Sequence, residues 1–75
     1  MNIEEENKEE ERLNAFSKEI LSCPKKRLIE IAVNEFFFTP SSLNVRHSFL
    51  IEKIQTAIDN RMVHITIARV ARNSK

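Results

Sequence analysis

The chain contains no glycine, no tryptophan and no tyrosine, and only one cysteine and two prolines in 75 residues. Each shortage closes a route. Glycine supplies the positive-φ positions of phosphate-cradling loops, nucleophile elbows and tight hairpin turns, so none of these devices is expected. Cys23 alone cannot form an intrachain disulfide, and the staple of small secreted domains is therefore missing. A reducing, cytoplasmic setting is expected. No basic leader precedes an apolar run with a small-residue cleavage site. No apolar stretch approaches the roughly 20 residues that span a bilayer. The expectation is a soluble, unprocessed chain with no membrane role.

What the chain has in quantity is charge, and it is unevenly placed. The net charge is +1, from 12 Lys and Arg against 11 Asp and Glu. Residues 1–22 hold seven Glu against Lys8, Arg12 and Lys18, which leaves −4, whereas residues 23–75 carry +5. A polyanion would meet the second part. At this length the chain forms at most one domain, with a small buried fraction and a narrow stability margin that oligomerisation commonly widens.

Residues 1–11 are polar on every side, and Glu5/Glu9 and Glu6/Glu10 set like charges four apart, so an acidic N-terminal arm that frays is expected. The rest, 12–75, reads as a single helical domain. Leu13, Phe16, Ile20 and Cys23 recur at steps of three and four and predict a first helix over about 3–22. Pro24 suits the first position of a second helix at 24–38, whose main face is Leu28, Ile29, Ala32, Val33 and Phe36. Ile31 and Phe38 fall outside that arc, and the Phe36-Phe37-Phe38 run points three ways. Thr39-Pro40-Ser41-Ser42 breaks the chain. A third helix at 41–59 carries Leu43, His47, Leu50, Ile51, Ile54, Ala57 and Ile58 on one stripe, with Val45 and Phe49 nearly opposite.

After the polar Asp59-Asn60-Arg61, β-branched residues dominate, and alternation places Val63, Ile65 and Ile67 on one face with His64, Thr66 and Ala68 on the other. This predicts a basic strand at 62–71. A lone strand leaves its backbone groups unpaired, so the reading adds a two-fold partner: a mainly α, three-helix domain whose C-terminal β-strand pairs with its copy across a homodimer. Ile31, Phe37, Phe38, Phe49, Val63, Ile65 and Ile67 are the expected partner interface.

No constellation of residues names a reaction. Cys23, His47 and His64 are the soft or borderline metal ligands, and no two share a local metal-binding spacing. The surroundings Lys25, Lys26 and Arg27 favour a thiolate at Cys23, yet a half-buried thiol filling the stripe below Ile20 explains it as well. No enzyme activity, cofactor, metal or small-molecule substrate is expected. The leading functional expectation is a small regulatory or adaptor protein that binds another protein. The alternative is a dimeric helix-turn-helix-like DNA-binding regulator, with Lys25, Lys26, Arg27, Asn44, Arg46, Arg61, Arg69 and Arg72 meeting nucleic acid. The glycine-free break and the modest net charge weaken that alternative.

Overall fold

In a computed structural model, which describes residues 3–73, the chain forms three α-helices and one short 3₁₀ turn. The helices are α1 (Ile3–Glu19), α2 (Lys25–Phe36) and α3 (His47–Asn73), and the 3₁₀ turn Pro40–Leu43 lies between the last two. The first two residues of the acidic arm, and Lys75 at the basic end, lie outside the described residues.

Helix α1 ends where Cys23 N–H closes back onto Glu19 O at 3.1 Å, just before Pro24. Pro24 is extended (φ −71°, ψ 161°) and opens α2, its carbonyl accepting from Leu28 N–H at 3.1 Å. Proline has no N–H to lose at a helix start, which is why the break falls here at little penalty. Helix α2 stops at Phe36, two residues before the expected end. Phe37 turns into the left-handed region (φ 59°, ψ 28°), and Phe38 N–H reaches back to Ala32 O at 3.1 Å. Glycine normally takes this position, because a Cβ crowds the following carbonyl there. In a glycine-free chain a phenylalanine bears the strain, and the residue is 80% exposed.

Cross-helix contacts give the topology. Arg27 bonds Glu19 and Arg12 bonds Glu35, so α2 returns antiparallel to α1. His47 Nε2 lies 3.2 Å from Cys23 O, and Arg61 bonds Glu35 O, so α2 and α3 lie alongside in the same direction. Arg69 bonds Glu10 and Arg72 bonds Glu6, making α1 and α3 antiparallel. A 27-residue helix is about 40 Å long, and α3 nearly accounts for the 45 Å length of the molecule. The core is Leu13, Ile20, Leu28, Ile31, Ala32, Leu43, Leu50, Ile54, Ile58 and Ile65, concentrated where all three helices meet. Beyond the end of α2, only α1 and α3 face each other.

The expected C-terminal strand is not there: among the described residues there is no strand, and α3 runs unbroken through Asp59-Asn60-Arg61 to Asn73. The strand-paired homodimer goes with it. The inward side chains of α3 are Leu50, Ile54, Ile58, Arg61, Ile65, Arg69 and Arg72, at unbroken steps of three and four. Arginines occupy three of those places, so an apolar-only pattern loses the helical period past Ile58. Val63, Ile67 and Val70 also follow helical steps, on the outward side, and their β-branching yields to the helix because Ile65 and the arginines find partners on α1. The second apolar side of α2 is likewise met within the chain, since Ile31 is buried.

Two substitution tests follow from this packing. In a strand, Val63, Ile65 and Ile67 would share one environment. Here Ile65→Ala lowers stability by about 2–5 kcal/mol, while Val63→Ala and Ile67→Ala change it by roughly 0.5 kcal/mol or less, as read from urea unfolding. Phe37→Gly relieves the left-handed backbone and raises stability by about 1 kcal/mol in the same measurement.

Candidate functional site

Two features stand outside the apolar core: a cluster of ion pairs on the inner side of α1 and α3, and an apolar row on the outer side of α3. The cluster comes from register. Glu6, Glu10 and Leu13 on α1, and Ile20 just past its end, continue one stripe, so the acids take the places that aliphatics hold further along. Glu6 is only 1% exposed, although it is a carboxylate. Arg72 grips it with both terminal nitrogens, Nη2 donating at 2.8 Å, and Arg69 Nε lies 3.4 Å away. A buried charge is tolerable only when paired and hydrogen-bonded, and this fork supplies both. Arg69 also donates to Glu10 at 2.9 Å and to Asn7 Oδ1 at 3.1 Å.

Nearer the core, Arg12 joins Glu9 (2.9 Å) and Glu35 (2.8 Å), and Arg61 lies 3.5 Å from Glu9. Arg61 Nη2 donates to Glu35 O at 2.6 Å, next to the end of α2, with its guanidinium over the rings of Phe36 (4.6 Å) and Phe37 (5.9 Å). Cation against helix C-terminus and aromatic face is favourable on both counts. The acids at the start of α1 and Arg72 in the last turn of α3 likewise match their helix dipoles.

The fork from Arg72 holds the Glu6 carboxyl below its usual range; burial opposes this, and the charges of Arg72 and Arg69 reinforce it. The Arg72 and Arg69 guanidinium groups are correspondingly raised by their bonds to Glu6 and Glu10. Arg27 lowers the Glu19 carboxyl in the same way. At Cys23 burial dominates and, with the negative charge of Glu19, pushes the thiol up. Cys23 is half-buried and is a thiol at neutral pH rather than an activated nucleophile.

The eight residues expected to contact nucleic acid do not converge. Arg27 is paired to Glu19, and Arg61, Arg69 and Arg72 are all turned into the cluster. Lys25 and Lys26 are exposed at the start of α2, and Asn44 and Arg46 just before α3. His47, expected on the apolar stripe, is exposed at the start of α3, and His64 is exposed as well. Residues 37–46 join α2 to α3, and the two helices lie alongside. A helix-turn-helix has a turn of about 3–4 residues and helices that cross steeply. No group of three His, Cys, Asp or Glu able to hold a metal occurs among the described residues.

Of the residues expected at a partner interface, Ile31 and Ile65 lie inside the chain's own core, and Phe38 is half-buried. Phe37, Phe49, Val63 and Ile67 are exposed, and Val70 joins them. Val63, Ile67 and Val70 are 54%, 58% and 63% exposed and stack at steps of four and three. Toward the start of α3 the same side opens into a shallow groove of about 420 Å³, bounded by Phe38, Phe49, Thr56, Ala57 and Asn60. Lys53, also on its rim, holds its ammonium 5.8 Å from the Phe49 ring. Reading single residues missed Val70 and Glu6. The signal for both was helical register, with Glu6 and Glu10 extending the Leu13–Ile20 row and Val70 lying seven after Val63.

The lowered carboxyls set the direction of the pH response. A group whose pKa is lower folded than unfolded contributes stability above its unfolded value, near 4.5 for these Glu, and loses that contribution as pH falls through the folded value. The urea midpoint therefore falls as the solution is acidified below about pH 4.5. Glu6→Gln lowers the midpoint at neutral pH and makes this acid dependence shallower. No family model matches the chain, and no curated protein or solved structure matches it.

Proposed function

We propose that the chain is a small non-catalytic binding module that acts by protein–protein contact, presenting the outer side of α3 to a helix of its partner. The observation that carries this reading is the exposed row Val63, Ile67 and Val70, one apolar side chain per turn on the side of α3 that faces away from the core. A helix that buries one stripe and leaves a second apolar stripe in water has the form used for helix-in-groove recognition, with anchors at i, i+4 and i+7. Phe49 and its groove extend the row toward the start of α3. The module works in a cytoplasmic setting, as its lone cysteine suggests. No helix among the described residues is long and apolar enough to cross a membrane.

Charge placement favours a protein partner over duplex DNA. Binding to phosphates needs cations that are free to release counterions, and four of the eight candidates are already bonded to carboxylates of the same chain. A partner of this kind, whether a second copy or another protein, is held mainly by apolar burial. Its binding is then insensitive to moderate salt.

A photo-crosslinking residue at position 67, with a control at the exposed Asn14 of α1, tests this in the native host. The expected result is a protein adduct, to this chain or to another, from position 67 and none from position 14. Light scattering of the purified chain at two salt concentrations, with and without random duplex DNA, is expected to show no DNA-dependent mass at either. Equal adducts from both positions, or a DNA complex that dissolves as salt rises, would overturn the proposal.

A further inference from the structure

The first third of α1 is attached differently from the rest. From Leu13 onward α1 meets the core through aliphatic side chains, whereas residues 3–11 face α3 with Glu6, Glu9 and Glu10, and Ile3 is exposed. The geometry points to a strap: residues 3–11 are held against the end of α3 mainly by carboxylate–guanidinium pairs centred on Glu6, with Asn7 adding a bond to Arg69 and Ile65 lying beside Glu9, and they let go as a unit when Glu6 loses its charge, while the three-helix core stays folded.

An aliphatic seam does not respond to a proton. A seam built on one buried carboxylate does. Glu6 faces Arg69 and Arg72 from α3, and its neighbours on α1 are Glu10, which shares Arg69, and Glu9, which shares Arg61 and Arg12. From α2, Glu35 holds Arg12, and its carbonyl takes Arg61. His64 and Glu9 line an open groove of about 330 Å³ beside Ile65. Neutralising Glu6 leaves two partly exposed guanidinium groups beside an uncharged buried carboxyl and removes the charge that both of them meet. The remaining pairs, at Glu9 and Glu10, are partly exposed and hold weakly on their own. Apart from Ile65, which lies beside Glu9 and Arg61, the aliphatic core is made without these pairs, its first member on α1 being Leu13.

Release changes what the molecule displays. Closed, the guanidinium groups of Arg61, Arg69 and Arg72 are neutralised within the chain. Open, they form a row along about 16 Å of α3, next to an uncovered Ile65. The outer row Val63, Ile67 and Val70 is the same in both forms, so the strap is separable from the binding side proposed above.

The test places a nitroxide on α1 by Lys8→Cys in a Cys23→Ala background and reads paramagnetic broadening of the amides of residues 65–72. At about pH 7 the closed strap broadens these amides. With Glu6→Gln added at about pH 7, or without it on acidification until the Glu6 carboxyl is protonated, the broadening is lost, while the methyl shifts of Leu13, Ile54 and Ile58 hold their places. Broadening that persists in both cases overturns the strap. So does collapse of the core methyl shifts together with the broadening. If Cys23→Ala does not fold, contacts between the Ile65 methyls and α1 in the unlabelled chain give the same readout, lost on Glu6→Gln or kept.

Discussion

Everything in this molecule is organised by one row of side chains on α3. Leu50, Ile54, Ile58, Arg61, Ile65, Arg69 and Arg72 all turn inward at steps of three and four, and they change character along the way from aliphatic to cationic. The aliphatic end has two helices to pack against and builds the core. The cationic end has only α1 opposite it, and there α1 supplies carboxylates in matching register. A chain this short cannot enclose a second apolar core, so the far half of the helical pair is held by charge.

That division decides what is left for function. Because the arginines are needed inside, the basic excess of the second part of the chain is mostly neutralised by the acidic first part. The modest surplus that remains is scattered, among the described residues, over Lys25, Lys26, Arg46 and Lys53. Because the inward row satisfies the helix, the β-branched residues of the same segment are pushed to the opposite side, where they form an apolar row in water. Burial of Glu6 and exposure of Ile67 are two consequences of one helical phase. The Phe37 backbone adds a third constraint, since without glycine the exit from α2 places a strained, exposed ring beside Arg61.

The presence of three helical segments was readable from the period of aliphatic residues and the breaks from Pro24 and Pro40, but the third helix, expected from residue 41, starts at His47 because Pro40–Leu43 forms a 3₁₀ turn instead, and His47 is exposed rather than on the apolar stripe. Past Ile58 the same period is carried by Arg61, Arg69 and Arg72. A pattern that counts only apolar residues finds an alternation of Val63, Ile65 and Ile67 instead. Local preference for a strand was real, and it lost to contacts made about 60 residues away in sequence, Arg69 to Glu10 and Arg72 to Glu6. Glu6 was hidden for the same reason: in isolation it belongs to a run of like charges that should fray, and only the arginines of α3 make it a buried acceptor.

What could be read from the residues in order was three helical segments before residue 59, the prolines near which they break, and the split of charge between the two parts. These depend on neighbours within a few turns. The sequence also required a second apolar surface on the helices. Only the tertiary structure decided which apolar residues that surface comprises, burying Ile31 and Ile65 and leaving Val63, Ile67 and Val70 outside. It likewise decided that the last segment is helix. The physical reason is that a carboxylate or a guanidinium can occupy an inward position only when its counter-charge arrives from another helix, and that arrival is a property of the folded chain.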